Sequence, residues 1–190
     1  MERFSPEFRE RRIGTQHTGN LVAVDTFFVG ALKGVGRVCL QSAIDCHSRY
    51  AFGRLYTSKL LVTAGHVFNE DVFPFFEPQK VRVETILSDN DREFCGRPER
   101  HPYELFLQLE GVNHRTTKVR RPQSNGFVER LHRPLLGKHF RIKGREKWYE
   151  SVEEMQKALD VSLHHYNHER THQGRGMKGG TPAKHLPRAL

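Results

Sequence analysis

Three carboxylates stand out by their surroundings. Asp25 lies inside the apolar run Leu21-Val22-Ala23-Val24-Asp25-Thr26-Phe27-Phe28-Val29, where strand propensity disfavours aspartate and a buried charge needs a partner or a metal. Asp89 follows a second apolar run in Ile86-Leu87-Ser88-Asp89-Asn90-Asp91, and Glu129 lies in Gly126-Phe127-Val128-Glu129-Arg130. Three converging carboxylates repel one another unless cations lie between them. Mg²⁺ suits such a set, because it binds through a few carboxylates, retains water and completes its shell with substrate phosphate. Two such ions, roughly 3.5–4 Å apart, can serve the attacking and the leaving oxygen of an in-line displacement at phosphorus. Taken singly, each residue has an ordinary alternative. Asp25 could be salt-bridged in a core, Asp89 could cap a turn, and Glu129 could pair with Arg133.

The charge distribution points to a polyanion. Residues 112–148 hold eleven Lys or Arg against two acids, Glu129 and Glu146, so this segment alone accounts for the net charge of +9. A local basic stretch is the electrostatic footprint of nucleic acid, although charge does not separate DNA from RNA. The alternative is a solvated face that only aids solubility. The 190 residues fit one domain, and 36% hydrophobic with 28% charged residues describes a soluble globular chain. No apolar run is long enough to cross a membrane, and the N-terminus lacks a signal-peptide core, so a cytoplasmic location is expected. Cys39, Cys46 and Cys95 are widely spaced and odd in number, which argues against a disulfide framework or a Cys-x-x-Cys zinc site.

The elements that must position these residues read as β-β-β-α-β-α-β-α-α. Strands are expected at 21–29, 37–44, 49–56, 81–87 and 112–117, with helices over 58–76 and 99–109. A further helix, capped by Ser124 or Asn125, would carry Val128, Leu131 and Leu135 on one face. Pro134 falls inside it and removes a hydrogen bond, at a cost of roughly 3 kcal/mol. Ser151-Val152-Glu153-Glu154 has the spacing of a capping box, and its helix sets Val152, Met155, Leu159, Leu163 and Tyr166 in one stripe. Short loops between the first strands predict an antiparallel meander, and helical crossovers predict parallel neighbours. The result is an α/β fold, a mixed five-stranded sheet flanked by helices. If the first and fourth strands are adjacent, Asp25 and Asp89 can approach each other. Residues 1–19 read as a polar lead-in, 20–170 as the core and 171–190 as a basic tail.

Five segments in order resemble the integrase-like core of DDE transposases from bacterial insertion sequences, a group related to retroviral integrases. Val22-Ala23-Val24-Asp25-Thr26 is similar to the first catalytic strand, and Asp45-Cys46-His47-Ser48-Arg49 to a D-x-x-S-R segment. Leu87-Ser88-Asp89-Asn90-Asp91-Arg92-Glu93-Phe94 resembles S-D-N-G-x-E-F, and Pro122-Gln123-Ser124-Asn125-Gly126-Phe127-Val128-Glu129-Arg130 resembles P-x-S-N-G-x-V-E-R. Tyr166-Asn167-His168-Glu169-Arg170, His172 and Thr181-Pro182 follow the C-terminal pattern. The resemblance implies an RNase H-like fold, two Mg²⁺ or Mn²⁺ ions, hydrolysis that exposes a 3′-hydroxyl at an element's end, and strand transfer into target DNA. It carries the catalytic, metal-binding triad onto Asp25, Asp89 and Glu129, and leaves Asp45 structural. DNA contacts are expected from Lys118, Arg120, Arg121, Asn125, Arg130, Arg133 and Lys138, and pairing two DNA ends implies a homo-oligomer.

The departures are local. The Asp89–Glu129 spacing exceeds the family's, with the surplus read at 96–102. Asp91 occupies a glycine position, where aspartate tolerates left-handed backbone, and Thr171 replaces a proline. No helix-turn-helix segment precedes the core in these residues, which implies DNA contact mainly through phosphates. The alternatives are a plain RNase H-like nuclease and a catalytically silent DNA-binding remnant of a truncated transposase. His132, three residues past Glu129, is a candidate to touch the site. His164, His165, His168 and His172 read as a polar helix face rather than a zinc site. Trp148 and Tyr149 read as packing between the last helices.

Overall fold

Alternation around the first strand divides the core in two. Leu21 and Ala23 turn toward one apolar cluster, and Val22 and Val24 toward another, as the two-residue period of a strand requires. A computed structural model describes residues 14–58, 63–97, 99–117, 126–135, 149–174 and 176–187. β1 (Val22–Leu32) pairs antiparallel with β2 (Gly36–Asp45), and β2 with β3 (Ala51–Tyr56). β4 (Thr85–Ser88) and β5 (Asn113–Thr116) continue the sheet in parallel from β1, giving the order β3-β2-β1-β4-β5. The meander and the parallel crossovers agree with the sequence reading, and the first and fourth strands, whose adjacency that reading left as a condition, are neighbours.

One face carries α1 (Phe73–Phe76) and α2 (Pro102–Leu109) over Val22, Val24 and Ile86. The other carries α3 (Gly126–Pro134) and α4 (Val152–His164) over Ala23, Leu40 and Leu87. α4 starts as its capping box requires, with the Ser151 hydroxyl accepting the Glu154 N–H at 3.2 Å. Tyr149, expected to pack here, is buried in the same cluster, and Trp148 lies outside the described residues. Gly53 on β3 lets this helix close on the sheet, since a Cβ there would lie 3.1 Å from a Leu40 methyl and 3.3 Å from a Leu163 methyl.

Two expectations are refined. The helix expected over 58–76 is present from Thr63 on as an unbroken but irregular helical run, with a 3₁₀ turn at Thr63–Gly65, a π-turn at Phe68–Val72, α1, and a 3₁₀ turn at Glu77–Gln79. Pro74 has no N–H for the Glu70 carbonyl, and the Phe73 N–H reaches back five residues to Phe68 instead. α2 starts at Pro102, not at 99, because proline suits the first turn of a helix. Pro134 lies in the last described turn of this helix, which continues through residue 135, and residues 136–148 lie outside the described residues.

The segments on either side of the core are folded onto it. Asp45 is fully buried at the end of β2 and accepts the N–H groups of Gly19 at 2.8 Å, His47 at 3.2 Å and Ser48 at 2.6 Å, plus the Ser48 hydroxyl at 2.7 Å. Gly19 is held with φ +85°, where a side chain would collide with the Arg82 carbonyl. Met177 is buried, and the His185 ring bonds its carbonyl at 2.9 Å. Along the outer rim of β3, Asn167 bonds the N–H and C=O of Ala51 at 2.9 and 2.8 Å. Gln156 takes the Leu55 N–H at 2.8 Å and gives a bond to the Gly53 carbonyl at 3.1 Å.

Candidate active site

The register of the two central strands brings the aspartates level. Val22 partners Ile86 and Ala23 partners Leu87. Carried on by two residues, that parallel register sets Asp25 beside Asp89, just past the end of the ladder. Both side chains then belong to the face that α3 and α4 cover, because Ala23 and Leu87 point there. Asp25 is half-buried, and its Oδ1 accepts the Thr26 N–H at 2.8 Å. Asp89, also half-buried, closes a turn by accepting the Asp91 N–H at 3.0 Å. Asp91 does not use left-handed backbone, which among non-glycine described residues occurs at Arg49, Lys80 and Lys178. The turn survives the missing glycine because it does not need that conformation.

α3 lies across this end of the sheet. Val128, Leu131 and Leu135 are buried, whereas Glu129, Arg130 and Arg133 are exposed. The cationic Arg130 bonds the Gly126 carbonyl at 2.7 Å and lies 5.2 Å from the Phe127 ring, which Arg49 covers at 4.0 Å. No ion pair among the described residues joins Glu129 to Arg133. Glu129 stands on the right element, but Asp25, Asp89 and Glu129 do not form a closed metal-binding group among the described residues. Lys118, Arg120, Arg121, Asn125 and Lys138 lie outside the described residues.

His132 fills the space beside Asp25. Its Nε2 is 2.7 Å from Ser42 Oγ, its Nδ1 is 3.7 Å from Asp25 Oδ2, and its ring centroid is 4.1 Å from that of Phe27. Burial lowers the imidazole from 6.5 to about 4, so it is neutral at pH 7. The unfolded chain takes up this proton near pH 6.5 and the folded chain near 4. The stability that His132 contributes is therefore intact above pH 6.5 and falls as pH drops through that window, levelling off below it. A shift of that size bounds the loss at about 3 kcal/mol. Urea unfolding between pH 7 and 4 is expected to show a steeper fall for the wild type than for His132→Gln.

A second relay lies behind Asp89. Glu104 Oε1 is 2.8 Å from His114 Nδ1, whose Nε2 is 2.8 Å from Ser88 Oγ, and Ser88 Oγ lies 2.8 Å from the Asp89 carbonyl. The order Glu-His-Ser matches acyl-transfer triads, but Ser88 is fully buried and cannot meet a substrate. Its chemistry is to hold the Asp89 turn. Sequence reading missed Ser42, Ser88, His114 and Glu104. The hairpin register, which sets Ser42 opposite Asp25, could have found the first.

Asp25 inside β1 and Asp89 just past the end of β4 offer hard oxygen donors side by side, which fits a divalent cation of the Mg²⁺ type. A model of the integrase core domain family matches residues 110–182, which include all of α3 and α4. The sheet and its flanking helices resemble solved integrase structures. A chain of the simian T-cell lymphotropic virus intasome, determined with the PP2A regulatory subunit B56 gamma, superposes with a TM-score of 0.68 at 18% identity over 92% of this chain and 56% of that one. The HTLV-2 integrase catalytic core domain, determined in complex with magnesium, gives 0.62 at 15% identity over 90% of this chain and 97% of that one. The chain has the fold of integrase catalytic cores.

The BIV integrase catalytic core domain is also similar, with a TM-score of 0.58 and 23% identity over 88% of this chain and 93% of that domain. A curated relative, "Putative integrase ORF3" of Spiroplasma virus SpV1-C74, is 29% identical over 137 residues, which is 68% of this chain and 37% of that protein. The chain therefore spans about a third of the curated relative and about half of the intasome chain. Its fold is the RNase H-like fold expected from the sequence. Among the described residues, no helix is long and apolar enough to cross a membrane.

Proposed function

We propose that this integrase-like core is a polynucleotidyl transferase that cuts DNA at an element's end and joins the exposed 3′-hydroxyl to target DNA. One observation carries the reading: the β1/β4 register that sets Asp25 level with Asp89, on the face crossed by the helix that bears Glu129. Asp25, Asp89 and Glu129 would hold two Mg²⁺ or Mn²⁺ ions. When bound, such ions activate the attacking oxygen and stabilise the leaving one at phosphorus. The protein's own contribution is to fix one carboxylate within the central strand and one just past the end of its neighbour, and to bring the third on a helix.

Arg130 and Arg133 project from the exposed side of that helix, where they can neutralise the phosphodiester backbone. Lys118, Arg120, Arg121, Asn125 and Lys138 belong to the same basic segment and would extend the contact. DNA at both the element end and the target is the proposed partner, with a homo-oligomer bringing two ends together. The free cysteines Cys39, Cys46 and Cys95 suit a reducing cytoplasm.

The deciding experiment compares wild type with Asp89→Asn on labelled element-end DNA in Mg²⁺ or Mn²⁺. Metal-dependent cleavage and joined products, both lost in the variant, would support the transferase. Cleavage without joining would make it an RNase H-like nuclease. DNA binding without any product would make it a catalytically silent remnant.

A further inference from the structure

We propose that His132, held by Ser42, is a positioning residue that ties the helix of Glu129 to the strand of Asp25. The inference rests on Asp25 and Glu129 acting in one metal-binding set. Ser42 and Asp25 are directly opposed on β2 and β1, so both side chains rise from the same face of the sheet. α3 crosses that face and lowers His132 between them. Nε2 to Ser42 Oγ, at 2.7 Å, is a hydrogen bond, whereas Nδ1 to Asp25 Oδ2, at 3.7 Å, is beyond hydrogen-bond distance but within electrostatic reach.

The two oxygens of Asp25 are thereby distinguished. Oδ1 is held by the Thr26 N–H and Oδ2 faces the imidazole, which restricts rotation of the carboxylate. Phe27 packs on the same ring, so His132 has little freedom to swing away. Glu129 lies three residues before His132, on the neighbouring position of the helix surface. The Ser42–His132 bond therefore sets both the roll of α3 and the separation between the Glu129 backbone and Asp25. Groups that orient a metal-binding carboxylate without touching the metal typically change affinity by about 10–100-fold when removed.

Mn²⁺ affinity of the full chain, read from the electron paramagnetic resonance of free Mn²⁺ without DNA, tests the tie. His132→Ala is expected to weaken binding by about tenfold or more. Ser42→Ala, which removes no carboxylate and leaves the imidazole in place, is expected to weaken it in the same direction. His132→Gln, whose amide can reach Ser42, is expected to recover much of the loss, which rescue by a merely space-filling residue would not give. The variants are compared well below their melting temperatures, and Ser42→Ala and His132→Gln carry the test if His132→Ala does not fold. Affinities within about twofold of wild type in His132→Ala and Ser42→Ala, with binding abolished by Asp25→Asn, would overturn the tie alone. Unchanged Mn²⁺ binding in Asp25→Asn would overturn the carboxylate set and this proposal with it.

Discussion

Asp25→Asn is expected to reduce metal-dependent DNA cleavage on the order of a thousandfold or more, equivalent to about 4 kcal/mol of barrier. The amide keeps the size of the side chain and an oxygen for the Thr26 N–H, but it lacks the negative charge that a divalent cation requires. Its effect should fall on chemistry, with the melting temperature within a few degrees of wild type. Combining it with Asp89→Asn should cost little more than either change alone, because residues that hold one reacting centre act as a unit. Single-turnover cleavage across the two single variants and the double variant measures both points. More than about a tenth of wild-type activity in Asp25→Asn would remove that residue from the metal-binding set.

Asp45→Ala should have the largest effect on stability. Its carboxylate satisfies three backbone N–H groups and one hydroxyl in a site without solvent access. Removing it strands several buried donors, each costing about 1–3 kcal/mol when left unpaired. Partial entry of water would limit the total to about 3–5 kcal/mol, a large share of the roughly 5–15 kcal/mol that holds a domain together. For a chain of this length that corresponds to a fall in melting temperature of about 10 °C or more. Thermal unfolding followed by circular dichroism checks it, and a loss below about 1 kcal/mol would contradict the assigned role.

These two aspartates show how far the sequence could be read. Both sit in or beside apolar strands, and composition does not distinguish them. The family pattern assigned a structural role to Asp45, and its four hydrogen bonds give the physical reason. The meander and the parallel crossovers were legible because β-branched runs, short loops and intervening helices leave few topologies, and the capping box of Ser151 fixed the start of α4; the order of the strands came from the structure. The helix over 58–76 was legible from its apolar spacing, but its irregular bonding was not: Pro74 removes one rung of the α-helical ladder, and the run takes π and 3₁₀ turns around it. His132 was visible from its spacing to Glu129. Ser42 and the Ser88–His114–Glu104 relay were not, because they depend on pairing between distant strands. Of the basic positions expected to meet DNA, Arg130 and Arg133 can be located on a surface, and both are exposed.

The amides of Asn167 and Gln156 act as fragments of an absent sixth strand. A bare rim of unpaired peptide groups invites another chain to add itself, and from there to fibre growth. Here the C-terminal helical segment supplies counterfeit peptide bonds to the β3 rim at Ala51, Gly53 and Leu55. Two copies could not zip β3 to β3 without first detaching those side chains. Self-association is thereby steered away from this rim toward the helical faces or the far edge at β5, and the segment from Gln156 to Asn167 serves as a guard against misassembly as well as part of the core.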